Sequence, residues 1–367
     1  MKIKKILLYF IVIFIIANMF PNKVMSEDKE RSSEKINVDA RCAVAIDSNS
    51  KIVIYEKNAY ELVPMASTTK VMTTLVALKY GKLDKKIKIS SKAAGIKGST
   101  VGYKADEKIT LRELLYGLML RSGNDAAVAI AEAIGGSIEG FAKLMNEYAD
   151  EIGIINSHFE TPHGLDREEH YSTAYDLAVA TSVAKKNPTF NEIVSSRDVD
   201  GKEKGFTRSY HNINKILWEI PNANGVKTGY TGKAGKCLIT SAPVQGNDVI
   251  IVVLNCPKRW KETGKIYEYI DKNYDFQKLY SKGDRALELK VNRKNLRLEY
   301  EDDIVVPVKK GCKYTSKIVK PKKINYTVNK GDKIGMICIY EDGKRVYKNF
   351  LRASNTVRVR RLLNWTF

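Results

Sequence analysis

The chain has 367 residues, of which 44% are hydrophobic and 28% charged, so its composition is globular and excludes a predominantly disordered protein. A net charge of +20 is typical of a protein with an anionic partner, and a general solubility charge is the alternative. The five cysteines are scattered, without a CxxC pair, which argues against a disulfide framework and against a metal site, and no cofactor is predicted.

Residues 1–26 are typical of an export signal. Three lysines precede a nearly unbroken apolar run from Ile6 to Phe20, and Val24-Met25-Ser26 offers small residues for cleavage. An uncleaved anchor is the alternative, but a bilayer needs ~20 apolar residues in a helix. We predict a signal peptide and an extracytoplasmic protein, at the cell wall or the outer face of the membrane. There an anionic wall polymer or lipid headgroup, rather than nucleic acid, would meet the positive charge.

The predicted elements of the first domain, residues 38–280, begin after a flexible, polar lead-in at 27–37. In chain order they are a hairpin of strands at 40–47 and 51–55, helices at 67–80, 111–120, 124–134, 141–152 and 173–184, strands at 225–231, 237–242 and 249–255, and a helix at 258–280. Capping boxes begin two of the helices, Thr110 with Glu113 and Thr173 with Asp176. We therefore predict an α+β fold, an antiparallel sheet with helices on its faces plus a helical subdomain.

After residue 280 the sequence changes to short apolar runs separated by charged turns, and this pattern predicts a second, small all-β domain at 281–352. Its predicted strands are at 287–291, 304–308, 324–328 and 337–340. The tail at 353–367 mixes apolar and aromatic residues with arginines, and on a helix these would form a basic, aromatic face that associates with an anionic membrane surface. A last strand is the alternative, because Val357-Arg358-Val359-Arg360 alternates with period two.

The chemistry is concentrated in three short motifs, of which Ser67-Thr68-Thr69-Lys70 is the first. Positions i and i+3 of a helix share a face, so the Ser67 hydroxyl and the Lys70 amine can meet. A serine hydroxyl is a weak nucleophile until a base takes its proton, and a lysine in a dry, cationic pocket has its pKa lowered enough to act as that base. At a helix start, free N–H groups also favour an oxyanion. Alone, Ser-x-x-Lys is expected by chance in so lysine-rich a chain.

The second motif, Ser122-Gly123-Asn124, lies in the turn between two apolar helices. Asn124 is a good helix N-cap, which is the simplest interpretation of the tripeptide alone. Beside Ser67, however, the hydroxyl of Ser122 and the amide of Asn124 would point into a cleft.

The third motif, Lys227-Thr228-Gly229, lies on the first strand of a predicted meander. Lys227 and Thr228 can bind a carboxylate, and Gly229 permits a ligand to approach the backbone closely. An exposed strand end is the alternative for any one such tripeptide, so the order of the three motifs carries the argument.

In this order the motifs resemble those of penicillin-binding proteins and serine β-lactamases. The segments at 64–73, 120–127 and 225–231 are similar to the low-molecular-mass D-alanyl-D-alanine carboxypeptidases of peptidase family S11. His163-Gly164-Leu165-Asp166, leading to His170-Tyr171-Ser172-Thr173-Ala174, is similar as well. The resemblance covers about residues 40–351, including the β domain, which this family also has.

The resemblance implies a role for each motif residue. The implied catalytic residues are the nucleophile Ser67, its general base Lys70 and Ser122, which passes a proton towards the leaving D-alanine. The implied substrate-binding residues are Asn124 for the substrate amide, Lys227 and Thr228 for the terminal carboxylate, and Gly229 and Tyr230. Backbone N–H groups of Ser67 and Tyr230 would form the oxyanion hole, and many relatives have histidine at Tyr230. An arginine that helps hold the carboxylate would fall near Arg259, and His163 and His170 are expected to be structural.

The implied activity is removal of the terminal D-alanine from peptidoglycan stem peptides that end in D-Ala-D-Ala, with β-lactam antibiotics binding covalently as mimics. A DD-endopeptidase or a transpeptidase is an alternative, because the same acyl-enzyme can react with water or an amine. A class A β-lactamase is disfavoured, because no Glu-x-x-Leu-Asn lies between the second and third motifs. A non-catalytic β-lactam- or wall-binding module is disfavoured because every motif residue is present.

Overall fold

The fold is that of a computed structural model, which describes residues 36–359. The predicted signal peptide, nearly all of the lead-in and residues 360–367 of the tail lie outside the described residues. Between residues 36 and 359, no helix is both long enough and apolar enough to cross a bilayer.

The strands are numbered in chain order. They are β1 Cys42–Asp47, β2 Val53–Lys57, β3 Lys86–Lys88, β4 Lys108–Thr110, β5 Asp198–Val199, β6 Tyr210–His211, β7 Gly225–Thr231, β8 Gly235–Val244, β9 Asn247–Leu254, β10 Tyr274–Tyr280, β11 Arg285–Val291, β12 Lys294–Tyr300, β13 Ile304–Lys309, β14 Tyr314–Val319, β15 Lys333–Glu341 and β16 Lys344–Ala353.

The helices are numbered in the same way, and a 3₁₀ turn at Ala66–Thr69 precedes the first of them. They are α1 Lys70–Tyr80, α2 Ser91–Ala94, α3 Leu111–Leu120, α4 Asn124–Gly135, α5 Ile138–Glu151, α6 Ala174–Ala184, α7 Pro188–Ser195, α8 Gly201–Lys204, α9 Ile216–Glu219 and α10 Arg259–Asn273.

A five-stranded antiparallel sheet, in the order β2-β1-β9-β8-β7, forms the centre of the first domain. All six residues of β1 are buried, because helices cover both faces of the sheet. Helix α1 contacts the helical block of α3, α4 and α5 on one side, and the 3₁₀ turn before it contacts β7. The α+β prediction, with its hairpin, meander and helical subdomain, is confirmed, and the N-terminal end of α1 lies between sheet and helices.

The two predicted helix caps form, but each capping box is only half formed. The Thr110 hydroxyl accepts from Glu113 N–H at 3.2 Å, and the Thr173 hydroxyl accepts from Asp176 N–H at 2.9 Å. The two carboxylates bond elsewhere. Glu113 accepts from the Tyr210 hydroxyl at 2.9 Å, and Asp176 accepts two hydrogen bonds from the connection before α6. Both acids thus join the helix starts to other parts of the fold.

The predicted helix at 258–280 is wrong in its last third. Helix α10 ends at Asn273, and the chain continues at once as strand β10, which pairs with β13. The Tyr274 hydroxyl donates to Ile54 O at 3.1 Å, so β10 contacts the edge strand of the central sheet while its own hydrogen-bonded partner lies in the C-terminal region.

The C-terminal region contains a five-stranded antiparallel sheet in the order β11-β12-β16-β15-β14. Three of the four predicted strands there are present, and β12, β14 and β16 were missed. The predicted strand at 324–328 is wrong, because only Val328 forms a bridge, to Val357. Four of the five cysteines are buried and all five are free thiols, as expected for small core residues.

Candidate active site

Ser67 lies in the 3₁₀ turn, and Lys70, three residues later, caps this turn and begins α1. Side chains three residues apart eclipse in a 3₁₀ helix, which brings Lys70 Nζ to 2.8 Å from Ser67 Oγ. The helix predicted at 67–80 therefore begins as a tighter turn. Ala66 holds this turn at φ 50°, a left-handed conformation that costs a non-glycine residue energy and is concentrated at functional sites.

Three oxygen atoms surround the ammonium group of Lys70. They are Ser67 Oγ at 2.8 Å, Asn124 Oδ1 at 2.9 Å and the backbone oxygen of His163 at 2.7 Å. Lys70 is fully buried. Burial, followed by repulsion from Lys227, holds its pKa well below the ordinary value, while Asp125 acts in the opposite direction.

The neutral form of Lys70 is arranged to act as a base. A neutral amine has two N–H groups and one lone pair. The carbonyl oxygens of Asn124 and His163 can only accept, so they take the two N–H groups. In the charged form Lys70 Nζ donates to Ser67 Oγ at 2.8 Å, and the Ser67 hydroxyl donates to His163 O at a longer 3.4 Å. In the neutral amine the lone pair is left for Ser67, whose hydroxyl can then donate to the nearer nitrogen. The geometry thus selects the Ser67 proton as the one that Lys70 removes.

Ser122 and Asn124 reach the site through the turn between α3 and α4. The Asn124 carboxamide is held at both ends, since Nδ2 donates to Lys97 O at 2.8 Å and Oδ1 accepts from Lys70. Asn124 is the first residue of α4 and not its N-cap, which is Gly123. Ser122 is buried at φ 59°, and its hydroxyl bonds to none of residues 36–359, which leaves it available to a substrate.

Lys227, Thr228 and Gly229 lie on β7, the edge strand next to the 3₁₀ turn. A Cβ atom at Gly229 would come within 3.1 Å of Ser67 N, so glycine lets the strand approach the nucleophile closely. Lys227 is buried and donates to Thr228 O at 2.9 Å. Burial, then repulsion from Arg259, lowers the pKa of Lys227 to about 7. An uncompensated buried ammonium is a strong attractor for a carboxylate.

Arg259 begins α10 and reaches β7, where its guanidinium donates to Gly229 O at 2.8 Å. The Nε atom of Arg259 is buried and bonds to nothing in the described chain. Tyr230 is 67% exposed, so its side chain projects away from the sheet while its backbone remains in β7. The structure thus brings residues of all three motifs to Ser67, namely Lys70, Asn124, Lys227 and Gly229. The individual roles of the predicted site residues stay predictions.

The 163–166 loop contributes more to the site than the sequence indicated. His163 supplies a backbone oxygen to Lys70, and Asp166 accepts from the Thr231 hydroxyl at 2.7 Å, which ties the loop to the end of β7. Gly164, at φ 85°, lies so close to the turn that a Cβ atom would be 2.0 Å from Ala66 O. A backbone acceptor has no sequence signature, so only the His-Gly-Leu-Asp resemblance pointed to this loop.

His170 stabilises the 3₁₀ turn at Ala66–Thr69 through a hydrogen bond to Thr69. Its Nδ1 accepts from Glu160 N–H at 3.0 Å, so in the neutral ring Nε2 carries the proton and donates to Thr69 Oγ1 at 2.9 Å. Thr69 in turn donates to Ala66 O at 2.8 Å. Burial lowers the pKa of His170 to about 4 and that of His163 to about 3, so both rings are neutral. This agrees with the expectation of structural histidines.

We expect kcat/KM for a peptide substrate to be bell-shaped in pH, because the predicted roles of Lys70 as a base and of Lys227 as a carboxylate ligand require opposite protonation states. Lys70 must be neutral, so activity rises as pH passes its lowered pKa. Lys227 must be charged to hold a carboxylate, so activity falls above its pKa of about 7. Since kcat/KM reports on the free enzyme, its pH profile is the measurement to make.

The Lys227→Arg variant assigns the alkaline limb of that profile. A guanidinium stays protonated, so the limb should move up by about one pH unit or more, whatever the loss in absolute rate. An unmoved alkaline limb would assign it to a group other than Lys227.

A family model described as D-alanyl-D-alanine carboxypeptidase matches residues 28–258, more than half of the chain. The chain belongs to the D-alanyl-D-alanine carboxypeptidase family. A second model, described as the C-terminal domain of penicillin-binding protein 5, matches residues 274–359. The family predicted from three short motifs is therefore confirmed, and so is its extra β domain.

Relatives match this member of the family over most of their length. D-alanyl-D-alanine carboxypeptidase DacF of Bacillus subtilis is 33% identical over 356 residues, which cover 93% of this chain and 91% of the relative. Among solved structures, penicillin binding protein 5 from Haemophilus influenzae has a TM-score of 0.78 at 29% identity, covering 88% of this chain and 99% of that one. A mutant of the Streptomyces K15 DD-transpeptidase has a TM-score of 0.60 at 32% identity, covering 64% of this chain and 98% of that one.

Proposed function

We propose that this carboxypeptidase removes the terminal D-alanine from peptidoglycan pentapeptide stems through an acyl-enzyme on Ser67. One observation carries the proposal. Lys70 is fully buried, has a lowered pKa, and lies 2.8 Å from Ser67 Oγ with its other two partners being obligate acceptors. A nucleophile and its base in this relation perform acyl transfer.

The acylation step follows from the geometry. Lys70 takes the Ser67 proton while Ser67 Oγ forms a bond to the carbonyl carbon of the penultimate D-alanine. The Ser67 and Tyr230 backbone N–H groups would stabilise the resulting oxyanion. When the peptide C–N bond breaks, the leaving amine takes a proton through Ser122, which has no other partner in the described chain. Water then hydrolyses the ester and restores Ser67.

The charges next to Ser67 favour a substrate with a free terminal carboxylate. Lys227 is buried beside Arg259, close enough for the charge of Arg259 to lower the pKa of Lys227. A carboxylate placed between them would relieve this repulsion, whereas an uncharged mid-chain peptide would not. This supports cleavage of the last residue, and the carboxylate of a β-lactam would occupy the same position.

Release of D-alanine from a soluble pentapeptide, with mass spectrometry of the penicillin adduct, tests the proposal. The wild-type protein should release D-alanine and gain one penicillin mass, and Ser67→Ala should do neither. Ser195→Ala, at an exposed serine in the last turn of α7, is the control and should behave as wild type. A penicillin adduct that survives in Ser67→Ala would contradict the assignment of the nucleophile.

The same assay separates the remaining candidates. Cleavage of crosslinked dimers without D-alanine release would indicate a DD-endopeptidase, and transfer to an added amine would indicate a transpeptidase, the activity named for the Streptomyces K15 relative. Rapid turnover of penicillin would indicate a β-lactamase. An adduct without any peptide turnover would indicate a β-lactam-binding module.

We also propose that the protein is exported and acts at the cell wall or the outer face of the membrane. The support is the sequence of residues 1–26 and the wall peptide implied by the family. The basic, aromatic tail is proposed to contact an anionic membrane surface, and nucleic acid is not proposed as a partner.

A further inference from the structure

The outer edge of the C-terminal sheet presents an exposed basic surface that the catalytic site does not use. Strand β14 lies at this edge and pairs only with β15, and the segment after it continues along the same side. We define the basic edge as Lys317, Val319, Lys320, Lys322, Lys323 and Tyr326. All six side chains are exposed.

The positive charge of the basic edge is not balanced by acidic residues. No aspartate or glutamate occurs between residues 313 and 331. None of its four lysines forms an ion pair with another of residues 36–359. Asp332 and Asp342 lie at the two ends of the stretch, where they accept from the backbone N–H groups of Asn329 and Lys313. Such a surface attracts an extended anionic partner.

Two apolar side chains interrupt this charge. Val319 is 44% exposed and Tyr326 is 51% exposed. Their neighbours Ile318 and Ile324 are partly buried against the core of the β domain, which fixes the segment and turns Val319 to the same face of β14 as Lys317. Tyrosine is enriched at membrane–water interfaces, because its ring is apolar and its hydroxyl is wet. A soluble anion would be bound by the lysines alone, whereas a membrane interface would also accept the apolar side chains of Val319 and Tyr326.

The basic edge lies where the tail leaves the β domain. Val328 and Val357 exchange backbone hydrogen bonds of 3.0 and 2.8 Å, and Val359 N–H donates to Thr327 Oγ1 at 3.2 Å. Thr327 follows Tyr326 directly, so the chain passes the basic edge just before residues 360–367, which contain two arginines, two leucines, a tryptophan and a phenylalanine.

We propose that the basic edge docks on a membrane surface rich in anionic lipid, as a second contact beside the tail. Its lysines would meet the headgroups while Tyr326 and Val319 enter the interface. One weak signal gives only reversible membrane binding, and stable attachment takes two. The β domain would thereby bind lipid through its basic edge, a role distinct from the catalysis proposed above.

Co-sedimentation of the full chain with vesicles tests this inference. Vesicles of phosphatidylcholine with phosphatidylglycerol should bind the wild-type protein in a salt-sensitive manner, and pure phosphatidylcholine vesicles should bind it weakly. The triple variant Lys320→Gln, Lys322→Gln, Lys323→Gln should lose affinity for the anionic vesicles on the order of 100-fold. The matched control removes three exposed lysines of the first domain, Lys82→Gln, Lys85→Gln and Lys86→Gln, and should change affinity little.

The outcomes separate the inference from its rivals and from the catalytic proposal. Equal losses in the two triple variants would overturn it, because net charge alone would then govern binding. Sedimentation with a purified anionic wall polymer but not with vesicles would also overturn it, in favour of a polymer partner. Release of D-alanine from a soluble pentapeptide should stay unchanged in both variants, so the vesicle result is independent of whether the proposed activity is correct.

Discussion

Replacing Lys70 by arginine should slow acylation of Ser67 by about 10²–10⁴-fold, the range that a positioned general base contributes. Arginine keeps a positive charge and donors for Asn124 and His163, but its guanidinium does not lose a proton in the accessible pH range. The lone pair that faces Ser67 in the neutral lysine is thereby removed. The rate of penicillin adduct formation, followed by mass spectrometry, measures the effect directly.

A second lysine of the same helix provides the control. Lys79 lies in the last turn of α1 and forms an ion pair with Glu151 at the surface. Lys79→Arg should therefore acylate at the wild-type rate. If Lys70→Arg also acylated within about threefold of wild type, a difference under 1 kcal/mol in the barrier, Lys70 would not be the base.

Replacing Gly164 by alanine should reduce both stability and activity, although Gly164 is no catalytic residue. Its φ of 85° costs an L-residue roughly 1–2 kcal/mol. The new methyl group would also lie 2.0 Å from Ala66 O and 2.7 Å from Thr69 Oγ1, so the turn that holds Ser67 must shift. A displacement of about 1 Å at a reacting group costs on the order of 100-fold in rate.

Gly153→Ala isolates the steric part of this effect. Gly153 has a similar φ of 79°, but no atom lies within 4 Å of the position that its new methyl group would take, so it carries the backbone cost without a clash. Chemical denaturation should show both variants destabilised, Gly164→Ala more so, while kcat/KM should fall only in Gly164→Ala. Equal activities of the two variants would show that the 163–166 loop does not position the nucleophile.

Apolar periodicity and turn residues were sufficient to predict most of the first domain. The sequence of α3 to α6 alternates apolar runs with caps such as Thr173, and the helices begin and end within a few residues of the predicted bounds. The helix predicted to residue 280 failed for a physical reason. Ile266, Ile270 and Tyr274 are spaced by four and are all buried, so the helical pattern crosses the point where the chain becomes a strand. Pairing with β13, which is non-local, decides where α10 ends.

The sequence was sufficient to predict which side chains form the site, but not the backbone conformation that positions them. Motif spacing brought Ser67 and Lys70 together, yet nothing in the sequence shows that Ser122 lies at φ 59°. The contacts of the Asp125 carboxylate could not be predicted either. It accepts from backbone N–H groups of residues 101–103 and so fixes the segment facing α4. Such contacts depend on backbone atoms that every residue has, and composition cannot reveal them.

Lys70 donates to a backbone oxygen of His163, and this limits which substitutions can change the site during evolution. Codon changes at position 163 replace the imidazole but leave the oxygen in place. A single substitution can therefore remove the side-chain oxygen of Ser67 or of Asn124 from Lys70. The backbone oxygen of His163 cannot be removed in this way and can only be displaced. Selection on that contact falls on the residues that shape the loop, Gly164 through its backbone angle and Asp166 through its bond to β7.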